Sequence, residues 1–298
     1  MLNVTTFFSY KGGAGRSTTC LNTLPFIVDL CEAYNGARIM LLDMDIESAG
    51  MTYLLNQQDV FKDKKYDVKQ LLKGEDTWTV SRQSDLSKHP VYKEFVPVGN
   101  ILGLPDNESV MFLGVNDSTE QLNSKAVAGI VERVMGDLVK FAENNNVRAI
   151  IIDSAAGDQY SARLSVDNSD KIVFCMRPTK QFRIGTFNYL RRMAIRYGSL
   201  ASDKDIILLP TVVPADAEVD GKSQLITSVE DIKARINLLP NLEIINDFLM
   251  KENFGINEIR RFKWKEGVLY KLQKENGLEE DEKTGLEKYR YLAKLITD

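Results

Sequence analysis

Histidine occurs once in the 298 residues, as His89 in the polar stretch SKHPVY, so a multi-histidine metal site is excluded. Cysteine is nearly as scarce. Cys20, Cys31 and Cys175 stand far apart with no C-x-x-C spacing and read as small buried hydrophobes in a reducing compartment. No apolar run approaches the ~18–20 residues that a membrane helix needs, and Met1 leads directly into an apolar stretch. A cytoplasmic, unprocessed protein with no membrane partner is expected. No linker, repeat or low-complexity tract divides the chain, which is therefore read as one domain over 1–298. Charge of one sign is lacking too. Lys and Arg number 38 against 42 Asp and Glu, a net charge of −4, which argues against a surface dominated by nucleic-acid affinity and leaves a local basic patch open.

What the sequence does contain is ordinary globular composition, 44% hydrophobic and 27% charged, arranged in a regular alternation. Continuous apolar runs start at Val4 and span Arg38–Leu42, Val110–Val115, Val147–Ile152, Lys171–Met176 and Asp205–Val213. Such runs suit parallel strands covered on both faces. Between them lie helical spacings over Ser17–Tyr34, with Pro25 inside. Another follows the capping residues Asn116–Glu120 and runs through Val127, Ile130, Val131, Val134, Leu138 and Phe141 to Asn144–Asn146. Further helices are expected over Asp67–Lys73, Thr186–Tyr197 and Leu286–Ile296. Strands alternating with helices predict a three-layer α/β/α domain with a mainly parallel sheet. Residues 56–108 are mostly polar and read as loop or excursion, and the pattern weakens again from Gly221.

The first strand runs into Phe7–Ser17, FFSYKGGAGRS. Gly12, Gly13 and Gly15 let the backbone turn with positive φ and bring its N–H groups against an anion, and the helix N-terminus that follows adds partial positive charge. The stretch departs from the P-loop pattern G-x-x-x-x-G-K-[ST] in two ways: Arg16 takes the place of the usual lysine, and a second cation, Lys11, opens the loop. Two more carboxylate motifs lie downstream. The strand over Arg38–Leu42 ends in Asp43, Met44 and Asp45, at the mouth where α/β sheets bind ligands. The strand Val147–Ile152 ends in Asp153, with Gly157 four residues on.

With Lys11 leading the loop, the chain resembles the deviant Walker A ATPases, the ParA and MinD family of P-loop NTPases. More narrowly it resembles a bacterial subgroup with a KGG-x-GR-[ST] loop. The segment DIESAGMT from Asp45 resembles that subgroup's switch I, Asp153 to Gly157 its Walker B and switch II, and RPTKQFRIGT from Arg177 a further subgroup stretch. The resemblance implies ATP and Mg²⁺ as ligands. The nucleotide site would comprise Gly12, Gly13, Ala14, Gly15, Arg16, Ser17 and Thr18, with Arg16 on the β- and γ-phosphates and Thr18 toward the α-phosphate. Ser17, Asp43 and Asp153 would serve the metal and its water shell, and Asp45 the attacking water. Lys11 would reach the phosphates across a nucleotide-sandwich homodimer. Iron–sulfur relatives hold their cluster through paired cysteines that this chain lacks.

The function implied is a slow ATPase switch that dimerises with nucleotide and regulates a protein partner or effector. Subgroup members often stand beside effectors, including those of bacterial defence. A weakly hydrolysing scaffold and a partition-type DNA-binding ATPase are the alternatives. For DNA the candidate is Glu258–Lys274, basic and aromatic, though acids at 279–282 offset its charge. Arg177, Lys180 and Arg183 suit either phosphate or partner contact, or plain surface charge. After Asp205–Val213 the family often places an adenine-binding polar residue, but Pro210 and Pro214 stand there, so ATP over GTP rests on the resemblance. The terminal helix ends Ile-Thr-Asp and reads as a docking helix, unlike the basic membrane helix of MinD.

Overall fold

The computed structural model describes residues 2–62, 67–69, 94–116, 135–136, 138–177, 180–197, 204–211, 242–244 and 280–298. The run VRAIIIDSAA forms the central strand β5 (Val147–Ala156), which pairs in parallel with β1 (Asn3–Ser9) on one edge and β2 (Arg38–Met44) on the other. Beyond β2 lie β4 (Val110–Leu113) and the short β3 (Val96–Pro97); beyond β1 lie β6 (Lys171–Met176), β7 (Asp205–Pro210) and β8 (Leu242–Ile244). The order is β3-β4-β2-β5-β1-β6-β7-β8. Only the β3–β4 pairing is antiparallel among the described residues. The chain leaves β1 for β2 on one side and later fills the other side with β6 and β7, so the crevice at the C-terminal end of β1 is a topological switch point.

Side chains alternate across a strand, and β1 shows which helices cover which face. The Asn3 amide donates to the Ile296 carbonyl of α6 (Glu280–Thr297) at 2.7 Å. Thr6, of opposite parity, donates to the Ser165 carbonyl of α4 (Tyr160–Asp167) at 3.1 Å. Helix α1 (Arg16–Leu30) packs with α6 on the first face. On the second, Phe8 stacks on Tyr189 of α5 (Lys180–Tyr197), ring centroids 4.6 Å apart. Helices thus cover both faces, as the sequence predicts. Two short helices, α2 (Gly50–Leu54) and α3 (Gln58–Lys62), follow β2.

Several boundaries differ from those expected. Helix α1 stops at Leu30 and not Tyr34, because Glu32 and Asn35 take positive φ (49° and 54°) and turn the chain out. Strands β2 and β5 run further than expected, so Asp43 and Asp153 lie within the sheet and not beyond its end. Strands β4 and β7 stop short, at Leu113 and Pro210. Helix α5 begins at Lys180 and α6 at Glu280, each six residues before its expected start. Strands β3 and β8 were not expected at all. The helix entering Asn144 is described over 138–144 and ends as expected, with Asn146 at φ 55°. Most of the rest of that helix, most of Asp67–Lys73, His89, Pro214 and Glu258–Lys274 lie outside the described residues.

Helix α6 buries Tyr289, Leu292, Ala293 and Ile296. Its Tyr289 hydroxyl accepts a hydrogen bond from the Asn22 amide of α1 at 3.0 Å, and the Lys171 ammonium donates to the Leu295 carbonyl at 2.9 Å. Lys171 and Asn3 thereby satisfy carbonyls that a helix C-terminus leaves unpaired, and the lysine charge complements its dipole.

Candidate functional site

The loop between β1 and α1 is shaped by glycine and tied down on three sides. Gly13 and Gly15 have φ of 79° and 72°, conformations that a side chain would strain. A Cβ at Gly12 or Gly13 would meet nothing within 4 Å, so the loop there borders open space. The Thr211 hydroxyl, just past β7, donates to the Ala14 carbonyl at 2.5 Å. The Gly157 amide donates to the Ser9 carbonyl at 2.9 Å, with Gly157 itself at φ 78°. Thr19 closes the first turn of α1 by donating its amide and hydroxyl to the Gly15 carbonyl, at 2.9 and 2.8 Å. Ser17 and Thr18, both half-buried, sit on that turn at the positive end of the helix.

Register brings the acids together. Asp43 of β2 lies opposite Asp153 of β5, and Phe7 of β1 lies on the other side of Asp153. Asp43 is fully buried and accepts from the Thr52 amide (2.8 Å), the Thr52 hydroxyl (2.7 Å) and the Asp45 amide (3.2 Å). Burial, with the neighbouring Asp153 charge, pushes its pKa up to about 7 against the restraint of the Thr52 bonds. The Thr52 hydroxyl in turn accepts from the Val115 amide at 3.0 Å, so α2, β2 and the end of β4 meet at one side chain.

Arg16 turns inward from the head of α1. Only 7% exposed, it donates from Nε to Asp153 Oδ1 and from Nη2 to Asp45 Oδ2, each at 2.6 Å. Burial works against the guanidinium charge, but the two carboxylates outweigh it and leave the pKa raised. Burial likewise raises Asp153, while the Arg16 charge and hydrogen bonding from the Ser17 hydroxyl and Arg16 pull it back. Beside Ser17, Asp153 Oδ2 is buried with no hydrogen-bond partner. Asp45, 14% exposed, is the acid nearest solvent, and its carbonyl accepts from the Ala49 amide at 2.7 Å. Glu47, two residues on, accepts from Gln159 at 2.9 Å, joining the segment after β2 to the one after β5.

Lys11 stands apart from this cluster. It is exposed, and its ammonium donates to Gln181 of α5 at 2.6 Å. Tyr10 beside it packs against Gly185, where an added Cβ would lie 2.1 Å from the ring. Arg177, directly after β6, is half-buried with Nε unpartnered among the described residues, while the side chains of Lys180 and Arg183 lie outside them. The expected residues Gly12, Gly13, Ala14, Gly15, Arg16, Ser17, Thr18, Asp43, Asp45 and Asp153 therefore converge at one end of the sheet. Sequence reasoning missed the tethers Thr52, Thr211 and Gln181 and the Glu47–Gln159 bridge. None of them carried a local signal, Thr211 lying inside the apolar run read as Asp205–Val213.

Magnesium fits this donor set. Among the described residues no group of three or more His, Cys, Asp or Glu forms a metal cage. A magnesium ion needs none, since it keeps most of its waters and takes one or two hard protein oxygens besides phosphate. The unpaired Asp153 Oδ2 and the Ser17 hydroxyl are such oxygens.

No family model matches the chain, and no curated protein matches it. Solved structures do. The MinC:MinD cell division protein complex of Aquifex aeolicus aligns at 17% identity and TM-score 0.58, over 97% of this chain and 95% of that one. A ParA family ATPase from Chlorobium tepidum aligns at 14% and 0.57, over 98% and 99%. The septum site-determining protein MinD complexed with Mg-ADP, from Pyrococcus horikoshii, aligns at 16% and 0.55, over 99% and 96%. The chain has the three-layer α/β/α P-loop NTPase fold that these MinD and ParA ATPase structures share.

Proposed function

We propose that this protein is a Mg-ATP-dependent switch: it binds ATP at the loop of residues 11–18, hydrolyses it slowly, dimerises through the bound nucleotide, and so regulates a protein partner. The whole chain, 1–298, acts as one domain in this reading. The observation that carries it is the convergence of the Gly13–Gly15 loop, the head of α1 and the carboxylates Asp45 and Asp153 at one end of the sheet. The ParA and MinD relatives supply the choice of ATP.

In this reading the loop N–H groups and the α1 N-terminus hold the phosphates, with Thr18 toward the α-phosphate. Ser17 and Asp153 would hold magnesium, which when bound neutralises phosphate charge and carries ordered water. Asp43 does not bind directly; through Thr52 it fixes the segment carrying Asp45. Asp45 orients the attacking water. Lys11, exposed at the outer end of the loop, would leave Gln181 and reach a second copy, where its charge would meet the departing phosphoryl group. The test is phosphate release by the purified protein together with light scattering. Asp45→Ala should abolish release while a nucleotide-dependent dimer persists; a monomer under ATP, ADP and no nucleotide alike would sink the dimeric switch.

A second reading, a nucleotide-binding scaffold that barely hydrolyses, draws on one observation: Asp45 is taken up by Arg16. In that case Asp45→Ala would leave an already negligible turnover unchanged.

A further inference from the structure

Arg16 heads α1 directly after the loop, and in this structure it is the partner of two acids. Its two bonds use Asp153 Oδ1 and Asp45 Oδ2, and the guanidinium is buried between them. We propose that Arg16, while paired with Asp153 and Asp45, excludes a divalent cation from Asp153 Oδ2 and the Ser17 hydroxyl beside it, so that metal enters only when Arg16 swings out. The inference rests on the reading of this crevice as a Mg-nucleotide site and adds an order of events to it.

Charge and space both keep a cation out. One guanidinium stands against two carboxylates, with Asp43 already taken up by Thr52 and the Asp45 amide. A dication seeking those oxygens meets a like charge at contact distance, in a setting too buried for water to screen it. The pull on a cation is nevertheless present, since Asp153 Oδ2 is buried and unpaired. Arg16 cannot leave for nothing, because a buried guanidinium stripped of its partners is strongly disfavoured. It needs another anion within reach. Arg16 is the first residue of α1, directly after the loop, and open space borders Gly12 and Gly13. A phosphate on the loop would supply that anion. Metal entry and the arrival of Arg16 at the phosphates then become one event. Metal alone does not load, and metal with a triphosphate does.

The probe is Mn²⁺, read by electron paramagnetic resonance on the full-length protein, first without nucleotide. Wild type is expected to show no tight stoichiometric Mn²⁺ site. Arg16→Ala, which leaves the acids uncompensated, is expected to gain one site per chain at least tenfold tighter, and Mn²⁺ should raise its melting temperature while leaving that of wild type unmoved. Arg16→Gln, of similar length and uncharged, should behave as Arg16→Ala does and serves if the alanine variant does not fold. A tight Mn²⁺ site in wild type without nucleotide overturns the proposal, and so does a folded variant that gains none. Adding ATP separates this from the parent reading. Failure of wild type to bind ATP, alongside a gain of Mn²⁺ by the variant, refutes the nucleotide reading and leaves the exclusion standing; ATP binding with equal Mn²⁺ affinities does the reverse.

Discussion

Three carboxylates crowd the ends of β2 and β5, and each meets the cost of leaving water differently. Asp153 and Asp45 share a guanidinium; Asp43 relies on Thr52 and the Asp45 amide. The folded protein holds the Asp43 proton more tightly than the unfolded chain, because its pKa of about 7 lies above the ordinary 3.8. This stabilisation is complete below the unfolded value and is lost as pH rises through about 7. Urea unfolding of the nucleotide-free protein at pH 5 and pH 8 should therefore show a fall in stability, and Asp43→Asn should show a smaller one. An equal fall in both would remove Asp43 as the source. At Gly15, an alanine must adopt φ 72°, which costs roughly 1–2 kcal/mol. Gly15→Ala should lower the unfolding midpoint accordingly and weaken nucleotide binding. The acids and glycines were legible in the sequence because each follows an apolar run. The pairing of Arg16 was not: its partners lie 29 and 137 positions away, and no local pattern sets which way a buried guanidinium turns.

Among the elements, α5 is bound to the loop at two points, through Lys11 with Gln181 and through Tyr10 against Gly185. A methyl at position 185 would sit 2.1 Å from the Tyr10 ring, so the ring and the loop behind it must shift. Gly185→Ala is expected to cost about 1–3 kcal/mol in thermal or urea unfolding. It should also reduce nucleotide affinity although it lies outside the loop. Unchanged stability and affinity together would show that α5 and the loop move independently. Strands β1, β2, β4, β5, β6 and β7 were readable as continuous apolar runs because helices cover both sheet faces. Strands β3 and β8 span two and three residues, too short for any period to declare itself. The early ends of α1, β4 and β7 follow from backbone turns and tethers such as Glu32 and Thr211, which composition does not encode.

At the scale of the molecule, α6 returns the far end of the chain to α1 and the edge of β1, so the element that carries Arg16 and Ser17 is braced from behind. Tyr289→Phe would leave the buried Asn22 amide without its acceptor, at a cost of about 1–3 kcal/mol. A fall of that size in unfolding free energy would establish this contact as structural; no change would mean that the hydrogen bond adds nothing to the packing of α6 on α1. The sequence shows the docking face of this helix as a repeat of apolar residues, yet it names no partner for that face, since α1 lies more than two hundred residues earlier. The central claim is that a triphosphate with its metal lodges on the loop at the head of α1. Titration calorimetry with Mg-ATP and with a non-hydrolysable analogue tests it most directly. The account predicts saturable binding at one site per chain, weakened in Gly15→Ala; the absence of heat with both ligands, together with no rise in melting temperature, would contradict it.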